Sequence, residues 1–275
     1  MTRGTPLAGA TVVITGGGRG IGRLTALGAA ERGARVVVWD LDAERAEAVR
    51  AEVVAEGGTA WAYAVDVSDR HAVAAAGEAT LDATGGVDVV VNNAGIVTGR
   101  TLLDSDPDGI ERVYGVNVLA LYWVTRAFLP AMVEQGAGCV VTVSSAAGLV
   151  GVARQTDYSA SKFAAFGFAE SLRAEMRQQR TGVASMVVCP YYVDTGMFEG
   201  VRTRFPLLLP ILREADVARA LLDGVERGRA QVLLPPLVRA VPLLRVLPVS
   251  LFDRVADLLG INVTMDHFVG RAGRV

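Results

Sequence analysis

The chain has 275 residues, a length that suits one α/β domain or at most two small ones. Its net charge of -2 and isoelectric point near 5.8 leave no basic stripe to neutralise phosphates, which argues against a nucleic-acid surface. Cys139 and Cys189 both lie in apolar runs, so we expect no disulfide framework and a reducing, cytoplasmic location. His71 and His267 are too far apart in sequence to indicate a metal site. Residues 1–9 have no apolar core and predict no signal peptide.

Residues 11–40 predict a strand, a glycine-rich turn, a helix over 23–32 and a second strand over 35–40. Glycines in such a turn let the backbone approach a pyrophosphate, whose charge the N–H groups of the helix start then meet. The glycine spacing differs from the general G-x-G-x-x-G fingerprint, and a glycine-rich turn without a ligand is the alternative. The residues that we predict to bind a dinucleotide here are Thr15, Gly16, Arg19, Gly20, Ile21 and Gly22.

Asp40 closes the second predicted strand, 24 residues after Gly16. A carboxylate at this position can accept hydrogen bonds from both ribose hydroxyls of an adenosine and would repel a 2′-phosphate, which favours NAD over NADP. Arg19 lies in the turn and favours NADP instead, because a cation beside the 2′ position can accommodate the extra phosphate. The sequence thus favours NAD and leaves NADP open.

The third and fourth predicted strands, over 60–65 and 87–91, are each followed directly by a polar residue. Asp66, followed by Val67, is expected at the strand edge where an adenine amino group would lie if a cofactor crosses the strand ends. Asn93, Ala94 and Gly95 follow the fourth strand and are expected on the ribose side of the cofactor, with plain turn chemistry as the alternative.

Asn117 is one of only four asparagines and lies in a helical run that is otherwise apolar. A buried amide must satisfy its hydrogen-bonding groups. We therefore expect this side chain either to bond the backbone and kink the helix or to hold a water molecule.

A fifth predicted strand over 138–145 ends in two serines and is followed by the pattern Tyr158-x-x-x-Lys162. Lys162 is the only lysine beside 26 arginines, which indicates a need that a guanidinium cannot meet. Positions i and i+4 share one helix face. The ammonium should therefore lie beside the phenol of Tyr158 and lower its pKa towards the range of a neutral-pH acid/base catalyst. An ordinary helix with a surface lysine and a packed tyrosine is the alternative.

Together these motifs resemble the short-chain dehydrogenase/reductase family, in the order and spacing of its members, over residues 11 to about 195. The resemblance implies a Rossmann-type doubly wound parallel sheet with helices on both faces, followed here by a C-terminal extension. It also implies a role for each of four residues. Tyr158 would be the acid/base for the substrate oxygen, and Ser145, thirteen residues before it, would orient that oxygen, with Ser144 as second choice. Lys162 would lower the pKa of Tyr158 and bind the nicotinamide ribose, and Asn117 would hold a water linking Lys162 to solvent.

A sixth predicted strand over 183–189 precedes a segment in which the family usually has Pro-Gly and then a threonine that contacts the nicotinamide amide. Thr195 matches that threonine, and Pro190 and Val193 are assigned to the cofactor site with it. Tyr191 replaces the glycine, which would put an aromatic ring beside the reacting centre and shape an apolar substrate pocket.

Residues 194–200 and the tail through 265–269 resemble the family branch that contains retinol dehydrogenases and 17β-hydroxysteroid dehydrogenases. That branch commonly oxidises lipophilic alcohols and prefers NAD. Its membrane-bound members carry an N-terminal hydrophobic anchor, whereas this chain begins almost at its first predicted strand.

The tail is rich in Leu, Val and Pro over 205–211 and 232–251. Prolines interrupt both runs and Arg239 and Arg245 interrupt the second, so neither meets the roughly 20 apolar residues of a spanning helix. We interpret the tail as a lid over an apolar pocket or as part of a subunit interface. The alternative is a peripheral membrane contact in which arginines lie at the lipid headgroups. Helices expected over 117–135 and 159–179 have broad apolar faces, and in the family the equivalent pair forms a dimer interface, so a homodimer or homotetramer is expected.

The sequence therefore predicts one domain over 1–275, with a cofactor-binding and catalytic core over 10–195 and a substrate-loop region and extension over 196–275. The predicted function is NAD-dependent interconversion of a lipophilic alcohol and its ketone or aldehyde. An NADP-linked carbonyl reductase and a non-catalytic dinucleotide-binding sensor are the alternatives.

Overall fold

Seven parallel strands form one sheet in a computed structural model that describes residues 4–270. The strand order across the sheet is β3-β2-β1-β4-β5-β6-β7. The strands are β1 (Thr11–Thr15), β2 (Arg35–Asp40), β3 (Ala60–Ala64), β4 (Val89–Asn92), β5 (Gly138–Val143), β6 (Val183–Pro190) and β7 (Gln231–Leu234).

Helices connect these strands and cover both faces of the sheet. Within the described residues the α-helices are α1 (Gly20–Glu31), α2 (Ala43–Ala55), α3 (Arg70–Thr84), α4 (Pro107–Tyr114), α5 (Ala120–Gln135), α6 (Thr156–Gln178), α7 (Glu214–Glu226), α8 (Val241–Leu244) and α9 (Val249–Leu258). A π-helical turn, Gly115–Leu119, joins α4 to α5. The predicted Rossmann-type fold is confirmed.

The two faces of the sheet bury separate apolar clusters, because successive residues of a strand point to opposite sides. Val12 and Ile14 of β1 pack with α1, α2 and α7, whereas Val13 packs with α3, α5 and α6 on the other face. Strands buried on both faces explain the continuous Val and Ile runs that predicted them.

The strand order reverses direction at β1, which lies between β2 and β4. In open parallel sheets, ligands bind in the crevice outside the carboxyl ends of the strands at such a point. Thr15, Asp40 and Asn92 are the last residues of their strands and therefore all reach this edge. The topology brings the predicted site residues together.

Several boundaries differ from the sequence-based predictions. The first helix begins at Gly20 and not at Arg23, because the turn itself forms the first helical turn and the Arg23 amide donates to the Arg19 carbonyl. The fifth strand ends at Val143, so both serines lie beyond it. Strand β7, which pairs with Pro190 and its neighbours in β6, lies in the run interpreted as tail.

The extension is continuous with the sheet through β7, and the predicted domain bounds also include 1–3 and 271–275, which lie outside the described residues. Among the described residues, one helical stretch, Pro107–Gln135, has a length and composition sufficient to cross a membrane, a test that core helices also pass. Its α5 portion buries Val124, Phe128 and Met132 against the sheet.

Candidate active site

The glycine turn between β1 and α1 adopts a backbone that only glycine accommodates easily. Gly16 and Gly20 have φ of 61° and 56°, in the left-handed region. A side chain on Gly22 would overlap the Gly16 carbonyl oxygen, and one on Gly16 would lie 3.0 Å from the Cα of Ala94. The turn is therefore bare backbone at the N-terminus of a twelve-residue helix, an arrangement that fits a pyrophosphate.

Thr15 and Asn93 hold this turn against the loop after β4. The Thr15 hydroxyl accepts hydrogen bonds from the Asn93 amide at 3.0 Å and the Ala94 amide at 3.1 Å. The Asn93 side-chain amide donates to the carbonyls of Thr15 and Gly16, at 2.9 and 3.1 Å. Both side chains thus shape the backbone that lines the pocket, and a contact between Asn93 and a ribose stays a prediction.

Asp40 faces the glycine turn from the end of β2. One carboxylate oxygen accepts from the Gly18 amide at 2.8 Å and the other from the Asp42 amide at 3.0 Å. Asp40 also lines the pocket with Arg19. This is the position that the sequence predicts for a group that recognises the adenosine ribose.

Arg45, in the first turn of α2, is a residue that sequence reasoning missed. Its guanidinium bonds the Asp42 carboxylate at 3.0 Å. The pKa of Arg19 is lowered by burial and then by the nearby positive charge of Arg45, while Asp40 and Asp42 oppose the shift. Two guanidinium groups therefore lie within electrostatic reach of Asp40. The proximity of Arg45 to Asp40 along the chain was the available signal.

Asp66 and Val67 follow β3 and line the same pocket as the glycine turn. An oxygen of Asp66 accepts from the Ser68 amide at 2.9 Å and from its hydroxyl at 2.6 Å. The remaining carboxylate oxygen has no bond to another described residue, so this side chain is available at the predicted adenine position.

Ser145 and Tyr158 meet at the carboxyl end of β5. The Ser145 hydroxyl lies beside the buried Tyr158 phenol and lowers its pKa, and it donates a hydrogen bond to the Pro190 carbonyl at 3.4 Å. The Ser145 oxygen also accepts from the Ala147 amide at 3.1 Å, which fixes its position. Ser144 instead donates its hydroxyl to the Lys162 carbonyl at 2.8 Å and is buried. The geometry supports Ser145 over Ser144.

Lys162 lies beneath Tyr158 on α6. Its ammonium donates to the Val143 carbonyl at 3.0 Å and is 5.6 Å from the centre of the Tyr158 ring. Burial lowers the pKa of Lys162 to about 8. Burial also raises the pKa of Tyr158 above its ordinary value, and the neighbouring Ser145 hydroxyl offsets this only in part. The expected lowering of this pKa by Lys162 is not observed: desolvation is the largest effect on the phenol, and Ser145 supplies the opposing one.

The buried lysine predicts a pH-dependent stability. Between about pH 8 and 10.5 the unfolded chain binds a proton at Lys162 that the folded chain does not, so this residue makes the free energy of unfolding rise with pH. The wild type should therefore gain about 3 kcal/mol of unfolding free energy across this window relative to Lys162→Met, which lacks the titrating group. Urea unfolding at a series of pH values measures it. The chain has no second lysine, and Cys189, whose pKa burial raises and the charge of Lys162 lowers, is replaced by Ala in both proteins so that its titration does not contribute. A difference that does not change with pH would contradict the prediction.

Asn117 lies in the π-helical turn and forms three side-chain hydrogen bonds. Its amide nitrogen donates to the Ile96 carbonyl at 3.0 Å and to the Ser161 hydroxyl at 2.9 Å, and its oxygen accepts from the Ile96 amide at 2.9 Å. Of the two roles predicted for it, bonding to backbone is the one observed, although the backbone belongs to the β4 loop and not to its own helix. A water held by Asn117 stays a prediction.

The substrate side of the pocket is apolar and aromatic. Phe198 lies edge-on to Tyr158 with ring centres 5.7 Å apart, and Tyr192 lies edge-on to Phe198 at 5.1 Å. The predicted Tyr191 lines the pocket as well, and its ring centre is 4.7 Å from that of Tyr192. Thr195, Val193 and Pro190 line the wall that joins this region to the glycine turn.

A buried hydrogen-bond chain fastens the C-terminal extension to the catalytic helix. Gln155 donates to the Tyr192 hydroxyl at 3.2 Å, and that hydroxyl is 2.8 Å from the hydroxyl of Thr264. Sequence reasoning missed all three residues. Gln155 lies one helical turn before Tyr158, which was a signal, but nothing in the sequence connects Thr264 to this site.

The extension also supplies pocket walls, from Leu237 and Val241 to Phe252 and Ala256. The pocket has a volume of about 300 Å³ and runs from the glycine turn past Tyr158 to these residues. This is the position that the lid interpretation of the tail predicts. Within residues 4–270 no group of three or more His, Cys, Asp or Glu side chains could hold a metal ion.

Comparison with known proteins places these features in a family. A family profile described as short chain dehydrogenase matches residues 10–205. Epidermal retinol dehydrogenase 2 of Mus musculus is 39% identical over 96% of this chain and 87% of its own. Human 17-beta-hydroxysteroid dehydrogenase 13 is 37% identical over 83% of this chain and 76% of its own.

Two solved structures share the fold and differ in their cofactor. A short chain dehydrogenase/reductase from Burkholderia phymatum in complex with NAD is 28% identical, with a TM-score of 0.80 over 94% of this chain and 97% of its own. A metagenomic short-chain oxidoreductase in complex with NADP is 32% identical, with a TM-score of 0.70 over 83% of this chain and 97% of its own. These likenesses support a dinucleotide cofactor without selecting one.

Proposed function

The chain belongs to the short-chain dehydrogenase/reductase family, and on that premise we propose that it interconverts a lipophilic alcohol and its ketone or aldehyde with NAD. The observation that carries the proposal is one continuous pocket. The glycine turn and Asp40 lie at one end of it, Ser145, Tyr158 and Lys162 at the middle, and an apolar region at the other end.

Tyr158 transfers the proton to and from the substrate oxygen. Because its pKa is raised, the phenol is protonated at neutral pH and can give its proton to a carbonyl oxygen in the reductive direction. In the oxidative direction the same oxygen takes the alcohol proton. Ser145, beside this phenol, has one hydroxyl proton, which would turn from the Pro190 carbonyl to the substrate oxygen and stabilise charge on it.

The nicotinamide cofactor, when bound, supplies or accepts the hydride at the substrate carbon. Lys162 and Tyr158 would hold its ribose, Thr195 its carboxamide, and the backbone of Gly16 to Gly22 its pyrophosphate. These assignments are those implied by the family, and the positions of the residues along the pocket support them.

The apolar end of the pocket supports a lipophilic substrate. Its wall contains Phe198, Leu209, Val238, Val241, Phe252 and Val255. Burial of an apolar substrate against these side chains would contribute about 25 cal/mol for each Å² removed from water. Retinol and steroid dehydrogenases among the relatives support the same substrate class.

The preference for NAD depends on Asp40, whose negative charge would oppose a 2′-phosphate. A second candidate, an NADP-linked carbonyl reductase, is favoured by the charges of Arg19 and Arg45 near that carboxylate. Both kinds of cofactor occur among the structural neighbours.

We expect a homodimer or homotetramer that uses α5 and α6, and a cytoplasmic location. Exposed apolar side chains on these helices, Tyr122 and Phe163, support such an interface. Sedimentation velocity measures the subunit number.

The proposed function predicts tight NADH binding followed by turnover of bulky alcohols. Calorimetric or fluorescence titration with NADH and NADPH comes first, and a screen of retinol, estradiol, testosterone and long-chain alcohols with the tighter cofactor comes second. We expect tighter binding of NADH and oxidation of at least one bulky alcohol. Preference for NADPH would favour the reductase, and binding of either cofactor with no turnover of any alcohol or ketone would favour the non-catalytic sensor.

A further inference from the structure

We propose that the exposed apolar surface around the pocket mouth docks on an anionic phospholipid bilayer. This surface, the apolar rim, consists of side chains from 205–211 and 237–251. Its members are Phe205, Leu207, Leu208, Ile211, Leu237, Leu243, Val246, Val249 and Leu251.

The apolar rim exposes large side chains that a folded chain usually buries. Leu207 is fully exposed, at 100%, Val246 is 83% exposed and Leu243 is 75% exposed. Single exposed apolar residues are ordinary, but a cluster of this size at the edge of a pocket marks an interaction surface. Leu207, Leu243 and Val246 are not among the residues that line the pocket, so their exposure is not explained by substrate contact.

Positive charges are in excess around the rim. Its segments 205–211 and 237–251 contain Arg239 and Arg245 and no Asp or Glu, and Arg202 and Arg204 precede the first segment; the nearest exposed carboxylates along the chain, Glu199 and Asp253, lie just outside. All four arginines are exposed. Arginines beside apolar side chains suit the headgroup level of a membrane with anionic lipids.

The same charges argue against a second copy of this chain as the occupant. A two-fold symmetric interface would bring the rim of each copy against itself. The arginines of one rim would then lie against those of the other, and the segments 205–211 and 237–251 hold no carboxylate to pair with them. Like charges across an interface cost affinity. A bilayer with anionic headgroups provides the missing opposite charge.

The rim is continuous with the pocket. Leu209, from the first rim segment, and Leu237, Val241 and Leu244, from the second, line the pocket wall. A molecule dissolved in the bilayer could therefore enter the pocket without crossing water. This consequence for substrate entry rests on the proposed function, whereas bilayer binding itself does not.

Vesicle co-sedimentation of the full chain tests the proposal without any turnover. We expect the wild type to bind vesicles of phosphatidylcholine with phosphatidylserine and to bind pure phosphatidylcholine vesicles less. The double variant Leu243→Glu/Val246→Glu should lose tenfold or more in partitioning, because it removes two inserted side chains and adds two negative charges. Arg202→Glu/Arg239→Glu should lose affinity for the anionic vesicles only.

The matched control is Val54→Glu/Leu103→Glu, which adds the same charge at two exposed apolar positions outside the rim. It should bind as the wild type does. Circular dichroism and dinucleotide titration establish that each variant is folded. The proposal is overturned if the wild type binds neither vesicle or if the rim variant binds as well as the control. A rim variant that instead reduces the subunit number, with no vesicle binding by the wild type, would assign the rim to a subunit interface.

Discussion

Tyr158→Phe is expected to reduce kcat by roughly two to four orders of magnitude while dinucleotide affinity stays within about twofold of the wild type. The substitution removes one oxygen from a buried ring and leaves the edge-on contact with Phe198 in place. That oxygen is the one whose pKa the neighbouring Ser145 lowers. The loss should therefore fall on proton transfer and not on the fold.

Steady-state kinetics with the best alcohol from the substrate screen, together with NADH titration, measures both quantities. Tyr191→Phe is the matched control, because it removes a second, half-buried phenol from the wall of the same pocket. We expect it to change kcat less than tenfold. If Tyr158→Phe keeps a substantial fraction of wild-type activity, the phenol is not the acid/base. If it also abolishes dinucleotide binding, the phenol contributes mainly to holding the cofactor ribose or to the fold, and the loss of kcat does not report proton transfer.

Asp40→Ala is expected to lower the ratio of NADPH to NADH dissociation constants by roughly ten- to a hundredfold. The carboxylate would accept charge-assisted hydrogen bonds from the ribose, which contribute about 1.5 to 3 kcal/mol, and each 1.4 kcal/mol is a factor of ten in affinity. The change should weaken NADH binding and remove the repulsion that a 2′-phosphate would meet.

The dissociation constants of both cofactors for the variant and the wild type measure this ratio. Asp40→Asn is a useful second variant, because Asp40 also accepts bonds from the Gly18 and Asp42 amides and an amide oxygen retains part of that role. Arg19→Ala serves as the opposite change and should weaken NADPH more than NADH. An unchanged ratio in Asp40→Ala would show that Arg19 or Arg45 determines the preference.

The sequence predicted the sheet well, because strands buried on both faces must be continuous apolar runs. Six of the seven strands follow from such runs, each within about two residues. The seventh, Gln231–Leu234, was missed because its short run continues into prolines and leucines that resemble an irregular tail. Its register against β6 is a long-range pairing that no local pattern reveals.

The features of the candidate site also fall into two groups, those that the local sequence predicts and those that depend on tertiary packing. Local chemistry identifies the glycine turn, Asp40, Ser145 and the Tyr158-x-x-x-Lys162 pair, since each depends on residue type at a short spacing. By contrast, the burial of Tyr158 and Lys162 comes from packing by distant segments. Burial reverses the expected direction of the Tyr158 pKa shift, because the cost of desolvation is a property of the whole surroundings.

By itself, the sequence determined the family motifs and the order of the strands along the chain, and it supplied the positions proposed as catalytic, because these depend on local pattern. Only the tertiary structure decided that Thr264, more than a hundred residues beyond Gln155, shares a hydrogen-bond chain with it through Tyr192. The same holds for the tail that forms a pocket wall with an exposed apolar rim. Such contacts join segments remote in sequence, and their partners are chosen by the packing of the complete chain.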